Sequence, residues 1–266
     1  MNIEHENKGR KNCMVMPLMN IEEFRKSEYY KFLTDNELVD FIFVEDNSKE
    51  FCFSRSMNSG IKEALNLGYE YITLSTNNNS WNTKDMEILL EHMKNKLSKG
   101  YHVSKMVNDH RNSGYITKST IKYLIGGMFN SAPIFTFRRY LVMRKAGLPK
   151  FYTSAARSYA AGFPGIMPFC IFSRDVLEKY SFDEKIRNSF EDTDLSYRLY
   201  KDGIPFHRIE ISTIHRGNQS FRKINNRNPL SGYYNVDDWS NNVRYLYQKY
   251  FHKNRHQHNV STIKIE

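Results

Sequence analysis

The stretch that decides the fold is a strand, a helix and a second strand in direct succession. It reads LVDFIFVEDNS (38–48), SRSMNSGIKEALNLG (54–68) and YEYITLS (69–75). The first and last pieces are short apolar runs, which are typical of buried strands. Between them, helical spacing begins near Ser59, and Gly68 supplies the expected end of the helix. This order predicts a unit in which two parallel strands are joined by a helix.

The same alternation continues on both sides of this unit. Further strands are predicted at CMVMPL (13–18), YHVSKMV (101–107), IMPFCIF (166–172) and PFHRIEISTIHRG (205–217), and helices at IEEFRKSEYYKFL (21–33), DMEILLEHMKNKLSKG (85–100) and DTDLSYRLYKDG (192–203). Strands that alternate with helices indicate an α/β fold with a mostly parallel sheet flanked by helices. We expect a flexible lead over 1–12, one domain over 13–217, and a basic, aromatic C-terminal extension over 218–266 with a helix at 239–253.

The amino-acid composition limits which kinds of protein and which kinds of partner are expected. The chain has 266 residues, 40% of them hydrophobic, and a formal charge of +10, so we expect a sizeable core and an anionic partner. The three cysteines are widely spaced and are expected to be buried free thiols, which fits a reducing, cytoplasmic setting. The polar start predicts no signal peptide, and no window is apolar enough for a membrane span.

Two common nucleotide-binding motifs are missing from the sequence. No GxGxxG follows the first strand, and GxxxxGK[ST] does not occur. Dinucleotide-dependent dehydrogenases and P-loop enzymes therefore become weak candidates.

Polar residues follow three of the predicted strands. They lie after Pro17, at Glu45–Ser48 and at Thr76–Trp81. In open sheets with parallel strands, ligands bind beyond the carboxyl ends of the strands. The sequence therefore predicts a ligand site at that edge, with a ligand-free, solvated turn at 45–48 as the alternative.

Four pieces in this order resemble the family 2 glycosyltransferases, which have the GT-A fold, a Rossmann-type α/β fold. They are FIFVEDNS (41–48), MNSGIKEALNLGYEYITLSTNNNSW (57–81), FDEKIRNSFEDTDLSYRLYKDG (182–203) and His215 after the following strand, and the likeness covers about 13–217. The resemblance implies transfer of a sugar from a nucleotide-sugar donor to a hydroxyl acceptor.

The resemblance also implies roles for individual residues. Asp192 would be the general base of an inverting reaction, and Glu191 would orient it or hold the acceptor. The residues implied to bind the nucleotide sugar are Pro17, Glu45, Asp46, Ser48, Asn58, Gly60, Asn77 and Asn78. The plain alternative for the acids is a helix N-terminus, where the macrodipole favours negative charge by about 0.3–1 kcal/mol.

The metal loop departs from the family pattern. The family places at least one aspartate here to bind Mg²⁺ or Mn²⁺, but this chain has Asn77, Asn78 and Asn79. Hard cations prefer charged oxygen ligands, so we expect weak metal binding, through Asn79 and His215. Arg55 or Arg157 could instead offset the charge of the diphosphate.

Three functions remain open from the sequence. The first is a cytoplasmic hexosyltransferase-like enzyme acting on a glycan, lipid-linked or protein acceptor, with peripheral contact to an anionic membrane through the basic residues of the middle and of the run Arg244–His258. The second is an inactive protein of the same fold that binds sugar nucleotides or glycans. The third, a nucleic-acid binder, has no recognisable motif, so we expect no nucleic-acid partner.

Overall fold

The computed structural model describes the chain in several segments, and the structural statements below concern these residues. They are 1–18, 20–46, 51–77, 79–108, 166, 169–187, 191–215, 242, 245–246 and 249.

The described residues form eight strands and six helices. The strands are β1 (Asn2–Glu6), β2 (Asn12–Leu18), β3 (Asp40–Glu45), β4 (Tyr71–Ser75), β5 (Asn79–Ser80), β6 (Tyr101–Asn108), β7 (Phe169–Ser173) and β8 (Phe206–His215). The helices are α1 (Ile21–Arg25), α2 (Glu28–Asp35), α3 (Phe53–Asn66), α4 (Thr83–Asn95), α5 (Arg174–Leu177) and α6 (Glu191–Lys201).

All eight strands belong to one mixed sheet in the order β1-β3-β2-β4-β7-β6-β8-β5. β2 pairs in parallel with β3 and β4, and β6 pairs in parallel with β8. β7 lies antiparallel between β4 and β6, so five strands (β2, β3, β4, β6 and β8) run one way while β1, β5 and β7 run the other. The predicted α/β fold with helices flanking the sheet is confirmed, and the sheet is more mixed than the alternation suggests.

Gly60 fixes how closely α3 packs on the sheet. A Cβ at this position would lie 2.3 Å from Cγ1 of Val15 in β2 and 2.9 Å from Cγ2 of Val44 in β3. Only glycine allows the helix to approach both strands at this distance. The helix therefore buries Met57, Ile61 and Ala64 against the sheet.

The prediction of a flexible lead over 1–12 is wrong for residues 2–6. These residues form β1, which pairs antiparallel with β3. Ile3 is the only aliphatic residue in β1, so the alternation that marks a strand is missing from the sequence. The strand is held instead by backbone hydrogen bonds and by Arg25, which contacts Glu4 and lies 2.7 Å from Glu6.

Two predicted helices have different bounds in the structure. Residues 21–33 were expected to form one helix, but they belong to α1 and α2, because Ser27 caps a new start by accepting from Tyr30 N at 3.1 Å. The helix expected from about Ser59 begins at Phe53. After Phe53, its first turn is Ser54, Arg55 and Ser56, so the apolar periodicity that indicates a helix starts later than the helix itself.

Two apolar layers sandwich the sheet. One contains α3, α6 and the faces of β2 and β4, with Leu195 and Leu199 of α6 fully buried. The other packs α1, α2 and α4 against the opposite face. All three cysteines are buried and free, as predicted. Among the residues that the structure describes, no helix has the length and apolar character needed to span a membrane.

Three histidines lie together where α4 packs on β6 and β8. His92 Nε2 is 2.8 Å from His102 Nδ1, and the rings of His102 and His207 stack with centroids 4.6 Å apart. Burial, the neighbouring His102, Lys96 and His207 lower the pKa of His92 to about 4, and burial also lowers the pKa of His102. The fold therefore disfavours the charged forms of His92 and His102.

We predict that the folded state loses stability as the pH falls from about 6.5 to 4. As the pH falls, the unfolded chain binds protons at His92 and His102 before the folded one does, and His92 alone would account for about 3 kcal/mol over this range. Urea unfolding between pH 7 and 4.5 should show the loss, and His92→Gln should show a shallower dependence. An equal loss in both proteins would contradict the assignment to His92.

Candidate functional site

The carboxyl ends of β2, β3 and β4 meet at one edge of the sheet because these strands are parallel. Leu18 and Glu45 are register partners at this edge, and Asp46 N donates to Leu18 O at 3.1 Å. Pro17 pairs with Val44 one step earlier and is buried. The edge therefore brings together Pro17, Glu45 and Asp46, as the sequence predicts.

Asp46 is built into this edge rather than extending from it. Its side chain is 2% exposed, and Ser56 Oγ in α3 donates to its Oδ2 at 3.2 Å. A buried carboxylate needs such donors. Glu45 is half-buried and stands closer to solvent. Of the two acids, Glu45 is thus the more accessible to a ligand, and Asp46 is held in a fixed orientation.

The segment after β4 crosses this edge from the middle of the sheet to β8. Asn79 pairs with His215 in the β5–β8 ladder, and His215 pairs with Asn108 at the end of β6. The backbones of the two residues predicted to bind metal, Asn79 and His215, are therefore neighbours. Asn77 is exposed on the crossing segment.

The side chain of Asn79 is occupied by its own segment. It is 5% exposed; its Nδ2 donates to Ser75 Oγ at 3.0 Å, and its Oδ1 accepts from Thr76 Oγ1 at 3.3 Å. Ser75 Oγ is also 2.7 Å from the hydroxyl of Tyr29, whose pKa is raised by burial. Asn79 therefore fixes the crossing segment to the end of β4.

These donors do not fit the Mg²⁺ or Mn²⁺ site that the family resemblance implies. The described part of the loop offers neutral amide oxygens, and the one on Asn79 already accepts a hydrogen bond. Within the described residues, no cluster of three or more histidine, cysteine or acidic side chains could hold a metal ion. A hard divalent cation would find no charged oxygen ligand on this loop.

The acidic segment reaches the same edge along α3. α3 runs away from the carboxyl edge, since it joins two parallel strands. Phe182 N donates to Asn58 Oδ1 at 2.9 Å, and one turn nearer the edge Ser54 Oγ donates to Ile186 O at 3.0 Å. Residues 182–186 therefore run towards the carboxyl edge of the sheet.

α6 then descends from that edge. It is followed by Pro205, whose carbonyl accepts from Tyr101 N at 3.0 Å at the opposite end of the sheet. The first residues of α6, Glu191 and Asp192, therefore lie on the same edge as Asp46. The structure brings these two predicted acids and the strand ends to one side of the molecule.

Glu191 is an unusual carboxylate. Its Oε2 is buried and has no hydrogen-bond partner among the residues described, although both acids keep some exposed surface. Burial and the neighbouring Asp192 raise the pKa of Glu191 to about 8. Its protonated form is therefore favoured more than that of an ordinary glutamate.

Asp194 differs from the two acids before it. It is fully buried, and its two oxygens accept from Arg198 Nε at 2.9 Å and from Lys249 Nζ at 2.8 Å. Its charge is thus neutralised on both oxygens by cations. The third acid of FEDTD is therefore structural, and in this it differs from Glu191.

Two residues predicted to bind the donor make packing contacts within the chain. Asn58 Nδ2 donates to Phe182 O at 2.9 Å and to Glu184 Oε1 at 3.0 Å, so its amide is committed to the 182–184 segment. Gly60 faces β2 and β3. The sequence pattern marks both positions, but the physical reason is the docking of the acidic segment and of α3.

Other predictions fall outside the described residues. Ser48, Asn78, the side chain of His215 and the basic middle with Arg138, Arg139, Arg144, Lys145 and Arg157 belong to this group. A groove of about 510 Å³ lies at the other end of the sheet, lined by Ile88, His92, Lys96, Phe206, His207, Arg208 and Glu210. It is remote from the acid pair.

The residues whose hydrogen bonds support the site from within the fold were not predicted from the sequence. Ser54, Ser56 and Tyr29 carry no motif, and each acts through a single hydroxyl. Lys249 belongs to a basic run that suggests an exposed surface. The one available signal for Ser54 and Ser56 was their position. Both are small polar residues in the first turn of a helix that follows a strand end.

Comparisons with known proteins find similar solved structures, of which two are given below, but no family model and no curated protein. A variant of Drosophila β-1,4-galactosyltransferase 7 with manganese, UDP-Gal and xylobiose is 12% identical, with TM-score 0.47 over 86% of this chain and 78% of that one. Glucosyl-3-phosphoglycerate synthase from Mycobacterium tuberculosis, with Mn²⁺, UDP and glucosyl-3-phosphoglycerate, is 10% identical, with TM-score 0.43 over 80% and 74%. Neither likeness assigns a donor, an acceptor or a metal to this chain.

We predict that Asn58→Ala lowers the free energy of unfolding by about 1–3 kcal/mol, because it leaves polar groups of Phe182 and Glu184 without their partner. Urea unfolding at pH 7 measures the loss. Asn66→Ala, at the exposed end of the same helix, is the matched control and should change stability by less than about 0.5 kcal/mol. An Asn58→Ala protein as stable as the control would show that the link is dispensable.

Proposed function

We propose that the protein is a glycosyltransferase that moves a sugar from a nucleoside diphosphate to a hydroxyl acceptor at the carboxyl edge of the sheet. The observation that carries the proposal is the pair Glu191–Asp192, which lies at that edge with one buried carboxylate oxygen of Glu191 left unsatisfied. A structural acid would have its oxygens paired, as Asp194 has. The unsatisfied oxygen is suited to a ligand hydroxyl.

In the proposed reaction, Asp192 is the general base. The acceptor oxygen attacks the anomeric carbon of the donor, the bond from that carbon to the diphosphate oxygen breaks, and the acceptor proton passes to Asp192. The bonding electrons leave with the nucleoside diphosphate, and the configuration at the anomeric carbon inverts. A carboxylate can serve as the base once it is held within hydrogen-bond reach of the hydroxyl.

Glu191 plays the complementary part. Because burial and the neighbouring Asp192 raise its pKa, Glu191 holds a proton more readily than an ordinary glutamate and can donate a hydrogen bond. We assign Glu191 to holding the acceptor and Asp192 to accepting the acceptor proton. Two neighbouring carboxyl groups whose environments separate their protonation are a common basis for assigning acid and base roles.

The donor is proposed to lie over the ends of β2, β3 and β4. Pro17, Glu45, Asp46 and the crossing segment with Asn77 would contact the base, the ribose and the diphosphate, and Ser48 and Asn78 are proposed members of the same group. Asn58 and Gly60 are proposed to serve the donor site through their internal contacts, which dock the 182–184 segment and α3. In this proposal, the side chains at this edge determine which nucleotide and which sugar bind.

The charge of the diphosphate must be offset at the same edge. A divalent cation, when bound through the donor, would supply positive charge to the leaving group. Among this chain's own residues, Arg55 in the first turn of α3 lies at the carboxyl edge and is half-buried, and Arg157 is a further proposed cation. The excess positive charge of the chain, +10, favours an anionic donor.

An inactive protein that binds sugar nucleotides is the second candidate. It is favoured by the asparagine loop, where the resemblance implies metal-binding carboxylates. Donor turnover separates the two functions. In either case we propose a cytoplasmic protein, with a glycan, lipid-linked or protein acceptor for the enzyme and peripheral membrane contact through its basic residues as an added proposal.

We predict that Asp192→Asn lowers transfer by about 10²–10⁴-fold, because it removes the proton acceptor with little change of shape. Glu191→Gln should lose much less, because the amide keeps a hydrogen-bond donor in place of the protonated acid. Release of nucleoside diphosphate from a panel of nucleotide sugars, with pooled glycan acceptors, measures both. Equal turnover by Asp192→Asn and wild type would refute the base assignment.

We predict weak Mn²⁺ binding by the free protein and stronger binding when the donor brings its own phosphate oxygens. Asn79→Asp should raise the affinity for Mn²⁺, because a carboxylate would replace a neutral amide beside His215. Calorimetric titration of Mn²⁺ into the free protein measures both effects. Micromolar binding to the wild type, abolished by changing Asn79 or His215, would show that the amide and imidazole suffice.

A further inference from the structure

The C-terminal segment contacts the chain just before the acid pair. Asn242 is 2% exposed, and its side-chain amide forms hydrogen bonds with both backbone polar groups of Arg187. Its Nδ2 donates to Arg187 O at 2.8 Å, and its Oδ1 accepts from Arg187 N at 3.1 Å. A side-chain amide that pairs with both backbone groups of one residue fixes the path of the chain there.

Lys249 and Tyr245 contact acids on both sides of the pair. Lys249 Nζ donates to Asp183 Oδ2 at 2.7 Å and to Asp194 Oδ1 at 2.8 Å. The hydroxyl of Tyr245 donates to the same Asp183 oxygen at 2.7 Å. Burial would raise the pKa of Asp183, but the hydrogen bonds from Lys249 and Tyr245 outweigh it and hold the pKa below its usual value.

These contacts bracket the acid pair along the chain. The attachment points are Asp183 and Arg187 before it and Asp194 after it, and Asp194 lies two residues beyond Asp192. α3 also contacts the approach to the pair, through Asn58 and Ser54. The segment before α6 is therefore held both by α3 and by the C-terminal segment.

We propose that Asn242, Tyr245 and Lys249 form a C-terminal clamp that positions Glu191 and Asp192 for the reaction, with Lys249 as the principal positioning residue. This inference rests on the proposed function for what the pair does. Lys249 donates to Asp183 and Asp194, which flank the acid pair along the chain, so we infer that it acts through them. Buried ion pairs of this kind contribute little net stability, but they select one arrangement of the groups that they join.

The clamp also changes the role of part of the basic tail. Lys249 belongs to the run Arg244–His258, which the sequence assigns to an anionic surface. Its side chain is 22% exposed, and its charge is used by two acids of the same chain. At this position the positive charge organises the site instead of facing a membrane.

The titration of Glu191 tests the clamp without any substrate. Protein with ¹³C-labelled glutamate carboxyl groups is titrated by NMR, and the Glu191 signal is assigned by its loss in Glu191→Gln. Lys249→Met removes the clamp cation, Lys249→Arg keeps it, and Tyr245→Phe removes only one hydroxyl. Lys201→Met, an exposed lysine on α6, is the matched control.

We expect Lys249→Met to increase the proton dissociation constant of Glu191 by at least about tenfold, because a released pair becomes more hydrated. Tyr245→Phe should cause a smaller change in the same direction, whereas Lys249→Arg and Lys201→Met should match the wild type. Mere loss of a nearby positive charge would shift the midpoint upward instead. If Lys249→Met does not fold, Tyr245→Phe decides the question.

An unchanged or raised midpoint in folded Lys249→Met and Tyr245→Phe would overturn the proposal. A wild-type midpoint near that of an ordinary glutamate would overturn it too, because the pair would then not be held in place. The readout needs no turnover. A wild type that transfers no sugar would therefore contradict the proposed function, while the Glu191 signal would still support or overturn the clamp.

Discussion

The parallel pairing of β2 with β3 and β4 is the constraint on which the rest of the structure depends. It forces the polar residues after three strands to one edge, and it requires α3 to return along the face of the sheet. Gly60 then allows α3 to pack against Val15 and Val44. The first turn of α3 thereby presents Ser56 to Asp46 and Ser54 to Ile186. One helix thus orders both halves of the candidate site.

Charge is treated in two different ways within one short acidic segment. Asp194 is fully buried and forms ion pairs with Arg198 and Lys249, so its charge has a structural role. Glu191, three residues earlier, has a buried oxygen with no partner in the described chain and a raised pKa. The first arrangement anchors the helix, and the second leaves a buried carboxylate oxygen without a partner in the described chain at the start of the same helix.

The sequence predicts the elements whose signals are local. Apolar runs identify β2, β3, β4 and β8, and Gly203, with φ of 67°, ends α6 as expected. The insertion of β7 between β4 and β6 could not be predicted, because an apolar run does not encode strand order. The contacts of Lys249 could not be predicted for a related reason, because its acidic partners lie 66 and 55 residues away in the chain. The roles of Asn58 and Asn79 depend on contacts that no motif records.

The most direct test of the account is whether the wild-type protein binds nucleotide sugars at the carboxyl edge. Thermal denaturation is measured with a panel of nucleotide sugars, with and without Mn²⁺, since a ligand that binds only the folded state raises the melting temperature by mass action. The account predicts that at least one nucleotide sugar stabilises the wild type and that Glu45→Ala weakens the effect. No stabilisation by any member of the panel, in the presence or absence of Mn²⁺, would contradict it.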